Sequence, residues 1–481
     1  MMRSKWIHKF MLLVMAGLLL AGCTNGPAKK DVKTTSTVRV MYYNEDSFHQ
    51  TYGDLFTIQN DDIKIEVIST DKMYRDGEIE DYDKALQDFI DTEQPDVLMV
   101  DVGRYSQMVS EGKLTELDSL IERDKYNTES IYPALLDILK EKGEGKLYGL
   151  TPTFYRNVIY YNADLFAEHG VELPQDGMTW QDIIDTARRF PTDGEKDTRI
   201  YGFGREHYRG MTLDILANTI ASPLGLKTVN PETKKVTVNT EAWKQVYKLA
   251  QEALESDALY NLQEDPFENG GMRNYYESQL FLMGRMAMTV NGPYYLRELK
   301  EIKNRVQDYK PFQVGIVAGP VDPANPEISR DVYLNNVTAI RANSPNTDAA
   351  WELVKFINGE QYAKIKSRSM NDGILSRMGM TKDSDGINME AFYKLKPAID
   401  DSSSAVEDKI PYEFYSKFYD ISSREIGLVE SKKKTIEEAL QVIEEEGQAA
   451  LDQAIKEKEA KDGAPKDKEE ASADSSEDQG V

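Results

Sequence analysis

Cysteine is almost absent: Cys23 is the only one in 481 residues. One thiol permits no internal disulfide and no thiolate metal cluster, so the fold must be held by its core. Histidine is nearly as scarce. His8, His49, His169 and His207 are scattered, and no two stand at metal-ligand spacing. There is no GxxxxGK(S/T) phosphate loop, no GxSxG elbow and no GxGxxG dinucleotide fingerprint. The stretch DSDGIN at 383–388 begins like a calcium loop, but its glycine is fourth rather than sixth and its twelfth position is Lys394 rather than glutamate. Positive charge is also in deficit, with 58 Lys and Arg against 83 Asp and Glu and a formal net charge of −25. Such a surface repels nucleic acid and anionic lipid. Carboxylates are so common that a pair of them does not define a glycosidase. These absences leave the sequence with no expected catalytic residue, metal or cofactor.

After residue 20 no apolar run is long enough to cross a bilayer. Before it, Arg3, Lys5 and Lys9 introduce an uncharged apolar stretch over 10–20, the pattern of a signal peptide. The stretch ends in Leu20-Ala21-Gly22-Cys23, which resembles the lipobox of bacterial lipoproteins. That resemblance implies cleavage before Cys23, a diacylglycerol on its sulfur, and a chain held by lipid on the extracellular face of the cell membrane. Residues 1–22 are then a signal peptide and 23–37 a polar, flexible tether. The charged, low-complexity stretch 456–481 is expected to be a disordered acidic tail.

Between these ends the length suggests two domains and the pattern is mixed α/β. Alternation at 38–43 and 63–69, a continuous apolar run at 95–101, and helical spacing at 81–94 predict the start of a doubly wound parallel sheet. Helices are expected at 178–190, with Thr179 as N-cap, and at 241–254 and 346–360. Strands are expected at 286–292, 312–320 and 332–340. Ligands of open parallel sheets bind beyond the carboxyl ends of the strands, which points to Tyr43, Asn44, Glu45 and to 101–105. Tyrosine is abundant, with 27 residues against 4 tryptophans and 15 phenylalanines. Pairs such as Tyr42-Tyr43, Tyr160-Tyr161 and Tyr294-Tyr295 fall at expected strand ends. A flat apolar ring with a hydroxyl suits a sugar edged with hydroxyls, although one ring of each pair should be core.

Four blocks stand in a recognisable order: QPDVLMVDVGRYSQMVSEGKLTELDSLI (94–121), KLYGLTPTFYRNVIYYNADLF with the Thr-Trp helix start that follows (146–183), FLMGRMAMTVNGPYYLREL (281–299) and SPNTDAAWELVKFING (344–359). Over roughly 38–450 the chain resembles the family 1 extracellular solute-binding proteins of carbohydrate ABC importers, the group that includes maltose-binding protein. The resemblance implies a two-lobed, type II periplasmic-binding-protein fold. Each lobe would be a mainly parallel sheet flanked by helices, with a hinge crossed more than once. Lobe 1 would be 38–152 and 318–370, lobe 2 153–317 and 371–455, with crossings near Pro152, Gly319 and Asn371. It implies a monomer that captures a small solute, a carbohydrate, and passes it to ABC permease subunits without transforming it.

Residue by residue, the resemblance puts Tyr294 where relatives place a stacking aromatic. It puts Asp101, Arg104 and Tyr105 where they bind sugar hydroxyls. Glu206 and Tyr208 fall where an acidic-x-aromatic step lines the cleft. Tyr155 and Arg156, after the first crossing, and Asp372, at the last, are further candidates. The sequence departs from the family at Asn335-Asn336, where glycine is common, and at Asn371–Ser376, which lacks a usual proline. A surface polysaccharide hydrolase, or a binding protein for a peptide or cationic solute, are the alternatives the residues leave open.

Overall fold

The strand Ser36–Tyr42 lies between two parallel neighbours, Ile63–Ser69 and Val97–Val100. Val97–Val100 is buried along its whole length, which is why its apolar run is continuous rather than alternating. Val337–Ile340 pairs antiparallel with it, and Gly149–Leu150 closes the sheet on the far side. A second sheet repeats the plan in the order Leu259–Tyr260, Tyr201–Gly204, Met286–Asn291, Val158–Asn162, Val314–Val317. Its first three strands are parallel and its fourth is reversed. The chain is thus two α/β lobes, with four strands of each sheet running one way. In both, the reversed strand is the one the chain enters directly from the other lobe. The computed structural model describes residues 36–74, 79, 82–195, 198–205, 211–260, 271–368, 373–380, 386–398 and 409–462. Cys23, the signal peptide, nearly all of the expected tether, Glu206, Tyr208 and Asp372 lie outside these residues.

A small three-stranded sheet joins the lobes. Thr153–Arg156 runs down its centre, with Val332–Tyr333 and Ile374–Leu375 antiparallel on either side. Each of these strands is a passage between lobes, so the hinge is crossed three times.

Two expectations need correcting here. The alternating stretch 332–340 is two strands, because Val332–Tyr333 belongs to the hinge and Val337–Ile340 to the first lobe. The second passage therefore lies at 332–336 and not near Gly319. Residues 318–331 stay with lobe 2. The Ala318 carbonyl accepts from the Gly177 N–H at 2.8 Å, and the Val321 N–H donates to the Met178 carbonyl at 3.0 Å.

The core is continuous from lobe 1 through Phe154 to one face of the second sheet, where Tyr160 and Phe281 pack. The other face is covered by helices Trp180–Ala187 and Glu241–Glu255 and by a C-terminal hairpin, Tyr412–Glu430 and Ile436–Asp462. Thr179 and Asp182 form a reciprocal capping box at the first of these helices. The last helix carries on through 456–462, which were expected to be disordered. Ala454 is buried there, and Gln453 donates to Glu457 one turn on at 2.7 Å.

Candidate functional site

The carboxyl ends of the strands in the first lobe open onto a cavity of about 420 Å³. Tyr43, Asp101 and Arg104 line it, as expected, together with Tyr82, Asn335 and Asn336. A second cavity of about 320 Å³ adjoins it between the lobes, sharing Asp101 and Asn335. Its far wall comes from lobe 2, with Asn218, Ser222 and Lys227, and its floor from the hinge residues Tyr333 and Leu334.

Asp101 is fixed as the N-cap of helix Val102–Ser110, accepting the Gly103 and Arg104 N–H groups at 2.8 and 3.0 Å. The helix N-terminus offsets its charge. Arg104 is nearly fully buried; it pairs with Asp83 and donates to Gln107 Oε1 at 2.7 Å. Its guanidinium is committed to holding the wall. Tyr43 is half-exposed, with its ring 4.5 Å from that of Tyr42 beneath it. Tyr82 is half-exposed at the rim. Its hydroxyl is pushed up, by burial first and then by Tyr74 beside it, with Arg104 opposing.

At the hinge, strand register decides which side chains face the cleft. Tyr155 stands opposite Tyr333, and Arg156 opposite Val332. Facing residues of an antiparallel pair share a side and neighbours alternate. The two tyrosines therefore share one face and Arg156 turns to the other. The ring of Tyr333 is 53% exposed, while its hydroxyl is tucked against Asp331 and pushed up to about 12 by burial, then by that carboxylate. Asp331 also accepts from Asn157. On lobe 2, Tyr294 is half-exposed at the head of helix Tyr295–Arg305, its hydroxyl donating to Asn291 Oδ1 at 2.9 Å.

Several candidates stand elsewhere. Tyr105 is a core residue: it is 0% exposed, donates to the Leu139 carbonyl at 2.9 Å, and accepts from the Tyr148 N–H at 3.1 Å. Burial pushes its hydroxyl up to about 12. It follows Asp101 by one helical turn and so turns inward. Arg156 is also buried, donating to the Phe392 carbonyl at 2.8 Å. Asn44 caps the short helix Glu45–Phe48, accepting the Ser47 N–H at 3.1 Å. Glu45 is exposed in its first turn, and neither residue lines either cavity. Sequence reasoning missed Tyr82, Lys227 and Tyr333. Tyr333 was legible as the polar phase of an alternating run; Lys227 carried no local signal. Among the described residues no group of His, Cys, Asp and Glu could hold a metal, and no helix is long and apolar enough to cross a membrane.

Two lobes of like topology, three connecting strands and a polar, tyrosine-edged cleft at their strand ends define a hinged binding protein. Residues 43–364 match the bacterial extracellular solute-binding proteins, and the chain belongs to that family. An arabinooligosaccharide-binding protein of Bacillus subtilis is 26% identical over 187 residues, 38% of this chain and 40% of that protein. The match thus spans less than half of that relative. Among solved structures, an ABC substrate-binding protein of Listeria monocytogenes in complex with cycloalternan aligns with a TM-score of 0.53 at 20% identity, over 87% of this chain and 98% of the other. The sugar-binding protein MalE of Xanthomonas citri aligns with a TM-score of 0.58 at 14% identity, over 89% and 100%. At these identities the structures establish the fold.

Proposed function

We propose that this protein captures a sugar or oligosaccharide in the interlobe cleft and delivers it to an ABC importer permease without chemical change. The observation that carries the reading is the set of half-exposed tyrosines, Tyr43, Tyr82 and Tyr333, placed around Asp101, Asn335 and Asn336. Flat rings beside hydroxyl-binding polar groups suit a pyranose or furanose, which presents apolar C–H faces and a polar edge. The saccharides named for the Bacillus and Listeria relatives support the same solute class. Lipid on Cys23 would keep the binding protein within reach of its permease, on the extracellular face of the membrane.

The test is a broad glycan panel read by thermal shift and calorimetry, with reducing ends assayed in parallel. A rise in melting temperature with a subset of glycans and no release of reducing ends is expected. Binding confined to peptides or polyamines would overturn the solute class. Release of reducing ends would make the protein a hydrolase. The described tryptophans, Trp180, Trp243 and Trp351, are buried, so calorimetry is a better reporter than intrinsic fluorescence.

A further inference from the structure

We propose that the saccharide taken by this cleft carries a carboxylate, as in a uronic acid residue, and that Lys227 and Arg330 receive it. The inference rests on the saccharide reading of the same cleft and adds the charge of the ligand.

The chain is strongly acidic, with a net charge of −25, yet the lobe 2 side of the interlobe cavity presents Lys227 and Arg330. Lys227 is held by its backbone: its carbonyl accepts from Thr237 Oγ1 at 2.8 Å and from the Trp243 indole at 3.3 Å. Lys227 lines the cavity, and its ammonium makes no ion pair among the described residues. The Arg330 guanidinium lies over Gly225, where an added Cβ would come within 3.0 Å of Nε. It donates to the Pro223 carbonyl at 3.2 Å.

Among the described residues, the carboxylates nearest this side are already engaged. Asp322, 4.0 Å from Arg330, accepts from the Ala324 N–H at 2.9 Å and from Asn325 at 3.0 Å. Asp331 is held by Asn157 and Tyr333, and Asp101 caps a helix. Arg205, which acts on Tyr333 from lobe 2, adds a further positive charge beside the floor.

The energetic argument concerns the closed state. When lobes close on a solute, water leaves the cleft, and an ammonium without a partner is costly to desolvate. A neutral sugar would leave Lys227 in that condition. A carboxylate on the ligand supplies the missing partner through charge-assisted hydrogen bonds, with Arg330 able to engage the same group.

The test compares short uronate oligomers of several linkages with their methyl esters, which remove the charge at nearly constant size. Neutral hexose and pentose oligomers run beside them, on the full-length protein by calorimetry. At least one acid is expected to bind about tenfold more tightly than its ester, the scale of one charge-assisted hydrogen bond. That gap should shrink with added salt and in Lys227→Gln, and reopen in Lys227→Arg. Equal affinity for acid and ester overturns the proposal and would fit Lys227 pairing with Asp101 across the closed cleft instead. Binding of neutral oligomers alone overturns it while leaving the saccharide reading standing. Binding of no glycan at all removes both. The acid and ester comparison on the unmodified protein needs no variant to fold.

Discussion

Tyr105 and Tyr333 are the same residue type in opposite situations, and substitution should separate them. Tyr333 offers half its ring to the cleft. Tyr333→Ala is expected to weaken ligand binding about tenfold, the value of one aromatic platform, with little change in melting temperature. Calorimetric titration and a thermal melt of the same variant check this; unchanged affinity would place the ring outside the binding surface. Tyr105 uses its hydroxyl to bridge Leu139 and Tyr148 in the core. Tyr105→Phe leaves a carbonyl and an N–H without partners and should cost about 1–3 kcal/mol of stability while affinity stays unchanged. Tyr105 follows the strand-end cap Asp101 and Tyr333 ends a hinge strand, so nearness to a strand end does not tell them apart. The difference lies in a single helical or strand phase. The same phase separates Tyr155 from Arg156, of which only one can face the cleft because neighbours on a strand point to opposite sides.

At the level of elements, the C-terminal hairpin ties lobe 2 together through side chains as well as apolar contact. Glu430 accepts from the Leu213 N–H at 3.0 Å, Glu444 from the Asn239 N–H at 2.9 Å, and Gln448 from the Val236 N–H at 3.0 Å. Inside the hairpin, Glu425 is buried and bonded by Lys434 and Arg424. Burial pushes its carboxyl up, but the hydrogen bonds from Lys434 and Arg424 outweigh that and hold it below its ordinary value of 4.5. A carboxyl lowered in the folded state stabilises the fold above its unfolded value, and that contribution is lost as pH falls through the folded value. Glu425→Gln should therefore lower stability by about 1–2 kcal/mol at neutral pH and flatten the loss of melting temperature on acidification below the ordinary value. A series of melts across acidic pH tests this; parallel curves for both proteins would rule out Glu425 as a source of the acid dependence. Most of these elements were legible because their apolar spacing is local. The stretch 332–340 was not. Its alternation is continuous, and only the partners show that its first half pairs with Thr153–Arg156 and its second with Val97–Val100.

On the scale of the whole molecule, three short hinge strands join lobes that otherwise keep separate sheets. Such an arrangement suits rotation of the lobes about the hinge, where the φ and ψ changes are absorbed at a few strand ends. Saturating a glycan that raises the melting temperature is expected to reduce the radius of gyration in solution scattering. An unchanged value with ligand bound would show that capture occurs without closure.

What the sequence determined by itself was local: the strands and helices, the family, and the tyrosines as a class. Apolar periodicity and capping act over a few residues, so they can be read in one dimension. Which tyrosines face the cleft, where the second passage lies, and that Lys227 and Asp101 line one cavity were decided by the tertiary structure alone. Those facts depend on strand register and on the pairing of segments more than a hundred residues apart, which no local pattern specifies.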